Sequence, residues 1–260
     1  MLRRFELNRF RLAAALAATA LALAAGVTEV QASAEIHKLS LVISAIPTSV
    51  NGGDLNNQIE SFNQAHLDPK GLQGVNKIQF GWMYDAELHY FVRTNMAFNF
   101  GVSQIHTSQK SEFLPAIRQD IQIRAELLSV PIHAGADYYF TPYNQGDFQA
   151  RAYMGGGALA AVGNKALMEQ VEVGTDTLTS LGGSFTTAAI RDSPGYYLEG
   201  GVHMFFASRI SVMLGAVYHS IVVRGMLDRS TYQPYYAPDG KPFTLDVSGV
   251  GLRMAAAIGF

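Results

Sequence analysis

Beyond residue 34 the chain reads in twos. Between Ile78 and Val92, the residues Ile78, Phe80, Trp82, Tyr84, Ala86, Leu88, Tyr90 and Val92 share one parity; Gln79, Gly81, Met83, Asp85, Glu87, His89 and Phe91 share the other. A helix scatters both sets around its circumference, whereas a strand puts them on opposite faces. The alternation recurs in Met96–Val102, Val130–Phe140, Tyr196–Phe206, Ile210–Tyr218 and Val250–Phe260. It is less sharp in Leu39–Ile46 and Phe148–Val162, and the total is eight strands.

The connections alternate in length. Short turns are expected at residues 93–95, 141–147 and 207–208, and long polar loops at about 48–76, 106–119, 163–194 and 224–242. Short turns on one rim and long loops on the other are how outer-membrane barrels are built. Aromatic residues crowd the short-turn rim at Tyr90, Phe91, Tyr138, Tyr139, Phe140, Phe148, Phe205, Phe206 and Phe260, as an interfacial girdle requires.

Alternation alone does not say which face is inside. A lipocalin-like soluble barrel would turn the apolar face inward. Against that, the more polar face is rich in Gly and Ala, and the chain beyond residue 34 has only six Lys, few for a strand face in water. Turned the other way, the apolar face meets lipid and the small and charged residues fill a narrow lumen. Lipid cannot hydrogen-bond a free strand edge, so the sheet must close.

The first 34 residues read as an address. Arg3, Arg4, Arg9 and Arg11 precede a run of Ala and Leu from Leu12 to Val27, and Ala32-Ser33-Ala34 supplies a small-residue cleavage site. The run is about 16 residues, short of the roughly 20 that span a bilayer. Residues 1–34 are therefore expected to be a secretory signal peptide cut after Ala34, with Ala32 and Ala34 as the recognition residues. Residues 35–260 then form one barrel domain.

With its C-terminal strand, Val250 to Phe260, alternating apolar residues up to a terminal Phe, the chain resembles the small eight-stranded outer-membrane β-barrel proteins of Gram-negative bacteria. The resemblance covers essentially all of residues 35–260. It implies an all-β, eight-stranded antiparallel transmembrane barrel in the cell outer membrane, with both termini periplasmic. It also implies that Ile258 and Phe260 belong to a signal read by the barrel-assembly machinery. The expected surroundings are outer-membrane lipid, and the expected state is a monomer.

Parity places Asp85, Glu87, His89, Asp137, Arg151, Glu199, His203 and Arg253 in the lumen, with Met83, Phe91, Tyr139, Tyr153 and Phe205 as bulk. A hairpin centred near Asn144 would set Asp137 opposite Arg151 as an ion pair. Glu87 and Glu199 are expected near Arg253. The functional reading of these charges is an ion or proton path. The structural reading, which we prefer, is an internal network in a barrel too narrow for a channel.

Other motifs carry less. His106 and Ser108 form an H-x-S on one strand face, where an imidazole can activate a hydroxyl. The Asn that follows in lipid A deacylases is replaced by Gln109. His219 and Ser220 are adjacent and so point to opposite faces. Gly155-Gly156-Gly157 lacks the Lys-Ser/Thr of a phosphate loop and is read as relief of crowding. Asp54 is expected to cap a short helix carrying Leu55, Ile59 and Phe62 in the first long loop, packed as a lid. The last long loop is rich in Tyr and Pro, with Tyr232, Tyr235 and Tyr236, and Asp239-Gly240 makes a turn.

With no Cys there is no thiolate chemistry, and a net charge of −2 gives no footprint for nucleic acid. The seven His are spread without metal-ligand spacing, so no metal and no cofactor is expected. The leading expectation is a non-enzymatic outer-membrane protein with a structural or loop-mediated role. Passive transfer of small or apolar solutes is the first alternative, and a lipid-modifying enzyme the second.

Overall fold

The computed structural model describes residues 37–260 apart from 72, 114–119, 146, 174–184, 190–192, 207–208 and 230. The expected leader and its cleavage residues Ala32 and Ala34 lie outside the described residues. Eight strands form the barrel wall: β1 (Leu39–Ser49), β2 (Phe80–Arg93), β3 (Met96–Phe113), β4 (Pro131–Tyr139), β5 (Phe148–Ala161), β6 (Ser193–Phe205), β7 (Ile210–Arg224) and β8 (Gly249–Gly259). Each pairs antiparallel with its sequence neighbours. The pairing of β1 with β8, from Ser40 opposite Gly259 to Thr48 opposite Gly251, closes the ring.

The faces are as the parity demands. On β2 every residue from Phe80 to Phe91 alternates between exposed and buried. The outward side chains are large and apolar, with Leu252 64%, Phe100 59% and Leu198 57% exposed. Water would make such a continuous belt unstable, and lipid is the solvent that suits it. The barrel is therefore a transmembrane barrel of the outer-membrane type. A second girdle, at the loop end, was not evident in the sequence. There Trp82 stacks on Tyr84 at 6.3 Å, and Tyr196 meets Tyr218 at 6.0 Å. Trp82 and Tyr90 lie about 26 Å apart along β2 at about 3.3 Å per residue. With a strand tilt of about 40° that matches an apolar band somewhat over 20 Å tall.

Two of the expected long loops are largely strand. β3 continues to Phe113 and pairs with Asp120–Ser129, which pairs with Asn164–Val173, which pairs with Phe185–Ala189. The register is continuous through the join: Val102 faces Ile132, and Ile105 faces Ser129. Only Val130 interrupts the strand, and its backbone exchanges bonds of 3.0 Å with Val162 and Gly163. The third to sixth strands thus rise beyond the membrane as a sheet. Alternation fades there because β3 puts polar residues on both faces, with Ser108 and Lys110 on one and Thr107, Gln109 and Ser111 on the other.

The first long loop holds a helix, α1 (Asp54–Phe62), as expected, but Asp54 does not cap it. Gly53 occupies the N-cap with φ 56°, and a side chain there would collide with the backbone of Thr244 and Asp246. Asp54 instead accepts a bond from the Thr244 amide at 2.8 Å, tying the first loop to the last. Asn51 and Gln58 add bonds to Asp246 and to the Tyr235 hydroxyl. Leu55 and Ile59 are fully buried with Phe243, Leu245 and Val247, and Phe62 packs on that cluster. The helix is a lid whose apolar underside continues the upper lumen through Ile46, Met83, Ile105 and Ile221. Deleting the Ile59 side chain leaves a void in this packing. Ile59→Ala is expected to cost about 2–5 kcal/mol, with protease cleavage inside residues 50–78 appearing before the barrel itself unfolds.

Candidate functional site

The lumen is layered. At the periplasmic end Val42, Phe91, Ala97, Tyr139, Tyr153, Phe205, Met213, Ala255 and Ala257 form one apolar layer. At the loop end the cluster under α1 forms another. Between them lies a charged belt made by the inward parity of β2, β4, β6 and β8.

All eight charged or His residues expected inside are buried, but they do not form a single group. Arg253 is the centre of the larger one. Its guanidinium reaches Glu87 at 2.6 Å and Asp85 at 3.6 Å, pairs with Glu199, and donates from Nε to Ser44 at 3.2 Å. His89 Nε2 lies 2.5 Å from Glu87 Oε2, and His89 Nδ1 lies 3.6 Å from Asp137. Asp137 accepts from Asn99 at 3.1 Å, and Asn99 accepts from the Tyr197 hydroxyl at 2.6 Å.

Arg151 and His203 lie apart, toward the periplasmic turn. His203 contacts the Tyr139 hydroxyl at 3.2 Å and Ser211 at 2.7 Å. Arg151 donates to Gln149 at 2.8 Å and to the Thr94 carbonyl. The expected Asp137–Arg151 pair is therefore wrong. The hairpin register sets Asp137 opposite Gly155 and Tyr139 opposite Tyr153, centring it two residues beyond Asn144. A short strand, Tyr143–Gln145, folds back on Phe148 inside that turn and lengthens it.

His133, like Asn99, is a buried lumen residue outside the expected set. It shares inward parity with Asp137 on β4 and sits 3.5 Å from Glu87 and 3.8 Å from Asp85. Its signal was that parity, which applies to it as much as to the residues singled out.

Outside the lumen, His106 and Ser108 lie on the outer face of β3, just above the loop-end girdle: His106 pairs across with Trp82, and Ser108 with Glu126. Glu126 collects His106 at 3.5 Å, Arg124 at 2.6 Å and Lys165 at 3.3 Å. Hydrogen bonding from His106, then the charges of Lys165 and Arg124, holds its carboxyl down at about 2, against an ordinary 4.5. Ile258 and Phe260 stand on the outer side of the closing strand, where Phe260 is 61% exposed and its amide donates to Leu39 at 2.8 Å.

No family model and no curated protein matches the chain. Among solved structures it is similar to Neisserial surface protein A, at 14% identity over 86% of this chain and 97% of that one, with a TM-score of 0.43. It is similar to Ail of Yersinia pestis at 14% identity over 86% and 98%, TM-score 0.37. The outer membrane protease OmpT of Escherichia coli matches at 9% identity over 85% and 95%, TM-score 0.27. Likenesses of this degree assign no ligand, partner or reaction to this chain.

Removing Arg253 strands several buried carboxylates, so Arg253→Leu is expected to destabilise the barrel by about 3–5 kcal/mol. Adding Glu87→Gln should restore part of that loss, whereas Asp137→Ala and Arg151→Ala should add independently. Urea midpoints read from the gel-mobility difference between folded and unfolded barrel measure both cycles. A depressed carboxyl contributes stability that is whole above its unfolded value and is lost as pH falls through its folded one. The sheet extension should therefore hold above about pH 4.5 and loosen toward pH 2. Amide exchange across residues 104–129, corrected for intrinsic rate, should rise in that window, and in a Glu126→Gln variant the rise should be absent.

Proposed function

We propose that the protein is a non-enzymatic outer-membrane barrel whose role is carried by its extracellular face rather than by its lumen. The single observation behind this reading is the layering. An aromatic and aliphatic layer around Tyr139, Tyr153 and Phe205 underlies the charged belt, and the lid helix lies above it. Eight strands leave an interior that side chains fill. By contrast, the third to sixth strands rise out of the membrane as a sheet, and Tyr232 and Tyr236 stand 65% and 56% exposed in the last loop. Exposed Tyr in a loop beside this sheet offers a partner contact area at low entropic cost. In this reading the barrel is a monomer in outer-membrane lipid, and its last strand, with Ile258 and Phe260, is what the assembly machinery engages.

Planar-bilayer recordings of the purified protein are expected to give no stable conductance. Reproducible unitary currents would move the role to passive solute transfer. The lipid-modifying alternative has one observation in its favour, the approach of His106 to Glu126 beside Ser108. Release of fatty acid from outer-membrane lipid by the wild type, abolished in Ser108→Ala, would overturn the non-enzymatic reading.

A further inference from the structure

We propose that Asp85, Glu87 and His133 form a binding site for one divalent transition-metal ion inside the barrel. Asp85 and Glu87 alternate on β2, so both enter the lumen one pleat apart, and His133 enters from β4. One ligand atom from each lies within 4.8 Å of the others. An ion held at about 2.0–2.2 Å from each donor in tetrahedral geometry sets the donors about 3.4 Å apart, and His133 Nε2 already stands 3.5 Å from Glu87 and 3.8 Å from Asp85.

Three further observations point to an ion there. The first is the His133 ring. The residue is 7% exposed, and its Nε2 has no hydrogen-bond partner although it faces Glu87 and Asp85. A buried imidazole nitrogen without a partner is uncommon. Its other nitrogen, Nδ1, is 3.4 Å from Ser103, whose hydroxyl donates to Asp85 at 2.8 Å. This is the outer support that orients a ligating His and leaves Nε2 to the metal.

The second is space. A cavity of about 30 Å³ borders these three residues and runs from Ser103, Glu199 and Arg253 to the apolar side chains of the upper lumen, Ile46, Met83 and Ile105. That holds about an ion with a water. Gly101 keeps it open: a Cβ there would fall 2.7 Å from both Glu87 Cγ and His133 Nε2.

The third is charge. Asp85, Glu87 and Glu199 gather around one guanidinium, that of Arg253, and Asp137 stands beyond them, 3.6 Å from His89. A buried excess of carboxylate is costly unless a cation offsets it. Arg253 and His133 share Glu87 Oε1, at 2.6 and 3.5 Å, and His89 takes Oε2 at 2.5 Å; Asp85 Oδ1, 3.8 Å from His133 Nε2, is the carboxylate oxygen turned toward a second positive charge. One imidazole with two carboxylates suits zinc, manganese or ferrous iron. The all-oxygen sets of calcium and magnesium and the sulfur sets of cuprous copper differ from it.

The test uses the full barrel in detergent, stripped with chelator and titrated calorimetrically with zinc chloride, with metal content measured after gel filtration. One zinc per chain is expected, together with a higher thermal midpoint that chelator reverses. His133→Ala and Asp85→Asn leave the Arg253–Glu199 pair in place and should weaken binding by about 100-fold or more, beyond the 10–100-fold typical of losing a supporting residue. Folded gel mobility certifies each variant. Should either fail to fold, labelled-His NMR on the wild type decides instead: the His133 ring resonances must move on zinc addition. Absence of stoichiometric zinc in the wild type overturns the proposal. So does equal binding by a folded His133→Ala, or a zinc response confined to the outer His37, His66 and His106.

Discussion

Every other feature of this molecule depends on the hydrogen bonds between β1 and β8. A strand in hydrocarbon has no water to turn to, so each unpaired edge group costs several kcal/mol. The first and last strands must therefore find each other across more than two hundred residues of chain. They do so in register from Ser40 and Gly259 to Thr48 and Gly251. Because the side-chain period is two, that register also fixes which residues face lipid. A slip of one would send Arg253 into lipid and Leu252 into the lumen. Ring closure and the charged belt are thus one constraint seen from two sides.

How legible this was in the sequence depends on what each face touches. Where one face meets lipid and the other a packed lumen, the contrast is large, and the β2 residues from Phe80 to Phe91 could be placed from parity alone. Where both faces meet water the contrast vanishes. That is why the strand continuing β3 through Thr107, Ser108, Gln109 and Lys110 reads as a loop. Parity also cannot give height. It put Asp137 and Arg151 on the same side, but their separation along the axis depends on a hairpin lengthened by the fold-back at Tyr143–Gln145. The cap of α1 was missed for a related reason. Asp54 has the right chemistry for an N-cap, but the last loop supplies a nearby backbone donor at Thr244 that captures its carboxylate.

The layered lumen explains why charge can be tolerated at all in so narrow a space. Arg253 by itself would be expensive to bury. Surrounded by Glu87, Glu199 and Asp85, it forms a compact multidentate centre that reaches β2, β6 and β8 together. Such a centre adds little net stability over a well-packed apolar core, but removing one member is costly. The apolar layers on either side keep water out and so make the pairing strong. The belt in turn spans the ring, linking strands that are not neighbours in the sheet.

Glycine completes this design from the neighbouring strands. An eight-stranded barrel has no room for a large side chain at every inward position. Inward residues must therefore alternate in size around the ring as well as along each strand. Gly155 faces Asp137 across the β4–β5 pair, and any side chain there would occupy the place of the Asp137 carboxylate. Gly101 does the same for Glu87 and His133 across β2, β3 and β4. The run Gly155-Gly156-Gly157 and the isolated Gly101 look unrelated in the sequence. Gly155, the first of the run, and Gly101 are each the empty half of a charged contact, and the Asp137 and Glu87 carboxylates and the His133 imidazole keep their present geometry because these wall positions carry no side chain.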